Sequence, residues 1–199
     1  MFGLFKKKAP AQPAGLHLTR DQLVPRIKHH AFVLTLERAG VPKDQQPAIT
    51  PLCGELLVTY AFDLPGSFIM ASPSMLRDAG IMSGEVAQLA LANLRRQLPE
   101  PQFFRRDDCG VAQVGDDLEA TLLLVDSVWS AIAPTMQGEL LAVVPRRNRL
   151  VLCDSANQEA MGALRELADD YFDEEDDQHR LSKQVMVRRG GCWTLYQPG

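Results

Sequence analysis

The sequence predicts an α+β fold: repeated β-hairpin plus helix units, with a mainly antiparallel sheet packed against helices. Three observations carry that expectation. A strand, turn, strand, helix pattern recurs at 55–98 and 139–172, with a weaker copy at 103–133. Turn-forming residues stand where each strand pair must reverse. Apolar residues then pass from continuous runs, suited to strands, to a three-or-four-residue spacing, suited to helices.

Residues 1–15 read as a disordered basic arm, because Phe2, Leu4 and Phe5 precede Lys6, Lys7 and Lys8, and Pro10 and Pro13 close off any regular element. The remainder, 16–199, is expected to be a single α+β domain. Leu23 to Lys28 suggests a short strand, which Pro25 confines to a sheet edge because proline cannot donate to a ladder. Ala31 to Ala39 reads as a helix stopped by Gly40 and Pro42, and Lys43 to Pro51 as a loop.

The first repeat opens with the extended run Leu56 to Phe62, reverses at Pro65-Gly66 and returns through Phe68 to Ala71. A helix from Ser83 to Gln97 follows, with Ser83 as its cap and Val86, Ala90, Leu91, Leu94 and Leu98 on one side. Asn93 borders that stripe and is expected to tie down a neighbouring loop. The middle unit pairs Phe103 to Arg106 with Val111 to Val114, and its helix begins near Asp116 with Leu118, Leu122, Val125, Trp129 and Ile132 inward. In the last unit Leu140 to Val144 and Arg149 to Cys153 flank a turn, and Ser155 and Gln158 have capping-box spacing ahead of Ala160, Leu164, Leu167 and Tyr171. A closing hairpin at 185–196 turns through Gly190-Gly191.

Composition narrows the function classes. A net charge of −4 argues against a general nucleic-acid binder, which needs a basic surface to displace counterions from phosphates. No apolar run approaches the roughly 20 residues that span a bilayer. Three lysines in the arm give only weak attraction to an anionic membrane, so membrane contact ranks last. Cys53, Cys109, Cys153 and Cys192 are too far apart for a zinc knuckle and read as reduced thiols of a cytoplasmic protein. His29 and His30 are adjacent, an arrangement that points to surface histidines, and no metal or cofactor is expected.

Chemistry is sparse. Phosphate-loop, dinucleotide, nucleophile-elbow and zinc-protease motifs are all absent. Tyr60 and Asp63 near one strand end, and Asp154 at the matching end in the last unit, would make an acid–base pocket for a small hydrolase or transferase if they converged. Aspartates at strand ends also hold turns, which is the reading we favour. The strongest charge feature is the run Asp169, Asp170, Asp173, Glu174, Glu175, Asp176 and Asp177 around Tyr171 and Phe172. Carboxylates at a helix C-terminus oppose its dipole, so the run is either a solvated end or, at Asp173 to Asp177, a surface for a basic protein partner. Arg180, Lys183, Arg188 and Arg189 stand close enough to neutralise it internally.

Four segments together suggest a relationship: Leu-Val-Pro-Arg-Ile-Lys at 23–28, Gly-Glu-Leu-Leu-Val-Thr-Tyr-Ala-Phe-Asp-Leu-Pro at 54–65, Ala-Asn-Leu-Arg at 92–95, and Gly-Glu-Leu-Leu-Ala-Val-Val-Pro at 138–145. In this order they resemble the YtpQ-like bacterial family, domain of unknown function 1444. The resemblance implies a bacterial cytosolic α+β protein and lends no catalytic residue. A non-enzymatic protein-binding module, of inhibitor or immunity-like character, is therefore the leading expectation.

Overall fold

A computed structural model describes residues 17–175 and 179–198, so the basic arm expected at 1–15 and Asp176 and Asp177 of the acidic run lie outside the described residues. In chain order the elements are β1 (Leu23–His29), α1 (Ala31–Arg38), β2 (Ile49–Cys53), β3 (Leu56–Leu64), β4 (Ser67–Met70), α2 (Pro73–Asp78) and α3 (Val86–Gln97). They continue with β5 (Gln102–Arg106), β6 (Cys109–Gln113), α4 (Asp126–Ile132), β7 (Leu140–Arg146), β8 (Arg149–Asp154), α5 (Gln158–Phe172), β9 (Arg180–Arg189) and β10 (Cys192–Leu195). The fold is α+β and its strand pairs are antiparallel.

The strands divide between two sheets. In the smaller one β3 is central, with β1 along one side and β2 and β4 on the other; the larger has the order β10-β9-β7-β8-β6-β5. Among the described residues strand β1 pairs only with β3, the edge position that Pro25 requires.

Alternation of side chains decides what each sheet buries. On β7 the residues Leu140, Ala142 and Val144 enter a core shared with Leu23, Ile27, Val58 and Phe62 of the small sheet. Leu141 and Val143 point the other way, against Ala160, Leu164 and Leu167 of α5. Both faces of β7 are covered, which explains its unbroken apolar run. Helix α3 packs on β1, where Asn93 donates to the carbonyls of Arg20 (2.7 Å) and Leu23 (2.8 Å), the tie expected of it. The sheets are bolted at Glu55: Gln184 accepts from its backbone N–H at 2.9 Å, and Ser182 donates to its carboxylate at 2.6 Å.

Several local expectations need correction. Ile49 to Pro51 belongs to β2, not to a loop, because cross-strand pairing with β3 by the β-branched Ile49 and Thr50 outweighs the break signalled by Pro51. Helix α2 was not anticipated; it is six residues long, with Ser72 as its cap. Ser83 lies inside a short 3-10 turn, and it is Glu85 that accepts the Met82 N–H at 2.9 Å. Asn157, not Ser155, caps α5, accepting from Ala160 N–H at 3.0 Å. The stripe from Leu118 to Ile132 is a 3-10 segment (Glu119–Leu124) and then α4, and Asp116 and Asp117 take left-handed backbone angles ahead of it. At the break the carbonyls of Leu122 and Leu123 accept the indole N–H groups of Trp129 (2.6 Å) and Trp193 (3.0 Å), and the Leu122 carbonyl also accepts the Val125 N–H at 2.9 Å, closing the 3-10 turn.

Candidate functional site

Tyr60, Asp63 and Asp154 do not share a pocket. Tyr60 is buried in the main core, and burial pushes its phenol up from the ordinary value. Asp63 is half-exposed near the end of β3 and pairs with Arg26 at 3.0 Å. Asp154, on the larger sheet, accepts N–H bonds from Gln137 (2.6 Å), Gly138 (2.8 Å) and Ala156 (2.9 Å). Those three bonds hold its carboxyl below the usual range although partial burial opposes them. Gly138 is part of this clasp, since a Cβ there would come within 2.6 Å of the Ser155 hydroxyl. Asp154 is therefore a turn anchor.

Two of the five described carboxylates of the acidic run are engaged by cations of the same chain. Asp169 pairs with Lys183 at 2.7 Å, and Glu174 faces both Arg146 (3.5 Å) and Arg149 (3.4 Å). Buried Arg146 also donates to the Glu174 carbonyl at 3.0 Å, and Arg180 to that of Phe172 at 2.6 Å. These cations at the C-terminal end of α5 answer both the carboxylates and the helix dipole. Asp170, Asp173 and Glu175 remain exposed. Arg188 and Arg189, also expected near this run, pair instead with Asp126 and Glu139.

The cysteines are free thiols, three of them buried. Cys109 and Cys153 face each other across β6 and β8; Cys109 donates to the Ala160 carbonyl at 3.3 Å, and the adjoining Cys109 thiol, with burial, pushes the Cys153 thiol up. His29 and His30 stack at 4.2 Å between ring centroids, and the His29 ring accepts the Ala31 N–H at 3.1 Å, closing the start of α1. Burial and the neighbouring His30 lower the His29 pKa. Among the described residues no three His, Cys, Asp or Glu side chains gather as metal ligands.

Two surfaces stand out instead. The first is the outer edge of β5, whose five residues are all exposed and which, among the described residues, pairs only with β6. Beside it lies a hollow of about 520 Å³ lined by Phe104, Arg106, Tyr171 and Glu174 among others. Arg106 donates to the Tyr171 hydroxyl at 2.9 Å and stacks over its ring, joining the hairpin tip to the end of α5. Asp107 and Asp108 form the tip at positive φ, as a two-residue hairpin turn requires, and are exposed.

The second is a cationic cleft where β1 meets the β7–β8 turn. Arg26 and Lys28 project from the side of β1 opposite Leu23 and Ile27, and Arg147 faces them from the turn. The sequence held a partial signal for this cleft, since Arg26 and Lys28 are two residues apart on a predicted strand and so share a face. Arg147 had none, because only the sheet packing brings its turn to β1.

Comparison with known proteins places the chain near one bacterial group. It is 24% identical over 162 residues to UPF0354 proteins of Staphylococcus aureus strains JH9 and Newman, covering 78% of this chain and 53% of each relative. A UPF0354 protein of strain USA300 is similar to the same extent. The chain thus spans about half the length of the curated relatives it matches. No family model and no solved structure matches it. Among the described residues no helix is long and apolar enough to cross a membrane. The similarity is to an uncharacterised bacterial protein family, UPF0354.

Proposed function

We propose that the chain is a non-enzymatic, YtpQ-like binding module that holds another protein by taking one of its extended basic segments onto β5. The observation that carries this reading is the exposed, unpaired edge of β5. A free strand edge offers a row of backbone donors and acceptors to an incoming strand, and flanking hollows select its side chains. Charge names the kind of segment. Asp107 and Asp108 at the hairpin tip, paired with Arg106 and Arg105 of the same hairpin, and Asp170 at the end of α5 are exposed beside this edge, and Asp107 and Asp170 act on Arg106. Acidic groups around a strand edge favour a basic strand and steer its approach. Asp169 and Glu174 are engaged within the chain, which moves the expected docking point from Asp173–Asp177 to the hairpin and α5 end together. An inhibitor-like role toward a basic effector fits the same surface.

The test is capture of a partner by the full chain, followed by amide hydrogen exchange of the complex. The expected result is new protection at Phe103 to Arg106, with binding lost in Phe104→Lys and weakened by added salt in the parent chain. Protection elsewhere, or retention by Phe104→Lys, would remove β5 from the account. Concentration-dependent dimerisation abolished by Phe104→Lys would mean that the edge receives a second copy instead.

A further inference from the structure

In a chain of net charge −4, the cleft beside β1 gathers cations. The Arg26 guanidinium stacks 4.8 Å from the Phe68 ring centre, and the Lys28 ammonium lies 5.4 Å from the same ring and 5.6 Å from that of Phe32. Two of the cations already have carboxylates: Arg26 has Asp63 at 3.0 Å and Arg147 has Asp117 at 2.8 Å. Lys28 forms no ion pair with any described carboxylate. Among the described residues its close partners are the two aromatic faces, which attract an ammonium through the ring quadrupole but offer its donors no oxygen acceptor. Burial lowers the Lys28 pKa, and repulsion from Arg147 and then Arg26 adds to the shift. An ammonium kept in this setting lacks an anion.

The geometry points to a binding site for the phosphate group of a small molecule, held by Lys28, Arg26 and Arg147. Phosphate suits these donors better than carboxylate for three reasons. It carries close to two charges at neutral pH against a carboxylate's one. Its oxygens can accept from a planar guanidinium fork and from an ammonium at the same time. Space is also available: a hollow of about 290 Å³ lined by Lys28, Phe32, Arg147 and His179 adjoins one of about 850 Å³ lined by Arg26, Asp63, Phe68 and Asp117, the two sharing Arg147. The smaller hollow accommodates the anion and the larger the organic remainder, against the Phe68 ring. This site lies away from β5 and does not depend on the partner reading.

Calorimetric titration of the full chain with inorganic phosphate and with phenyl phosphate, at matched ionic strength in chloride, tests the proposal. Saturable binding of at least one of the two is expected, weakened about ten-fold or more in Lys28→Met and largely restored in Lys28→Arg, as loss and return of a charge-assisted contact require. Tighter binding of phenyl phosphate assigns the larger hollow to an organic group, and equal binding makes this a site for free phosphate. A second measurement does not depend on the variants folding: in the unaltered chain, phosphate should move the backbone amide resonances of Lys28, Phe68 and Arg147. No saturable binding, undiminished binding in a folded Lys28→Met, or resonance changes confined to other regions would overturn the assignment.

Discussion

At the scale of single residues, the polar groups that matter most join distant parts of the chain. Glu85 accepts from Arg20 at 2.7 and 2.9 Å and from the Met82 N–H at 2.9 Å, and these bonds hold its carboxyl down at about 2 from an ordinary 4.5. A carboxylate with a depressed pKa adds stability that is fully present above its unfolded value and is lost as pH falls through its folded value. Glu85→Gln should therefore change the acid limb of the stability curve between pH 4.5 and about 2, where the parent chain loses this contribution and the variant has none to lose. Denaturant titrations across that window check the point, and parallel curves would refute it. The residue scale was partly legible in the sequence. Asn93 was expected to tie a loop because an amide on the border of an apolar stripe needs partners, and it does so through Arg20 and Leu23. The partner of Glu85 was not readable, since Arg20 is 65 residues away along the chain.

At the scale of elements, hairpins and principal helices follow from local pattern, while their ends depend on neighbours. Ser155 has the spacing of a cap, yet its hydroxyl accepts the Glu139 N–H at 2.7 Å and Asn157 caps α5. Asn157→Ala should destabilise the protein by about 1 kcal/mol, the ordinary cost of losing an N-cap, with Asn157→Ser nearly neutral. Ser155→Ala should act through the β7–β8 connection rather than through α5. Helix-terminal amide exchange in the two variants separates the effects, and faster exchange at Ala160 in Ser155→Ala alone would restore the sequence-based cap. The same lesson holds at Val125, where a periodic stripe reads as one helix but the chain closes a 3-10 turn and two indole groups bond to the carbonyls of Leu122 and Leu123.

At the scale of the whole molecule, the main core draws side chains from both sheets and from the helices between them, and Trp129 and Trp193 meet there edge to face at 5.1 Å between ring centroids. A core shared in this way should unfold as one unit, so tryptophan emission and far-ultraviolet circular dichroism should report the same denaturant midpoint. Separate midpoints would mean that the small sheet melts independently. Trp129 was readable as a core residue from its spacing, because burial of one helical stripe is a local property of the chain. The division into two sheets was not, since strand neighbours are chosen by contacts far apart in sequence. By itself the sequence determined the α+β class, the hairpins, the edge position of β1 and the lack of known catalytic motifs, all of which rest on side-chain periodicity, proline geometry and turn chemistry within a few residues. Only the tertiary structure decided that Asp63 and Asp154 stand apart, that Asp169 and Glu174 of the acidic run are answered from within, that one edge of β5 has no partner strand among the described residues, and that Arg147 is brought to Lys28. Packing two sheets around one core fixes which surfaces meet, and no local pattern encodes that choice.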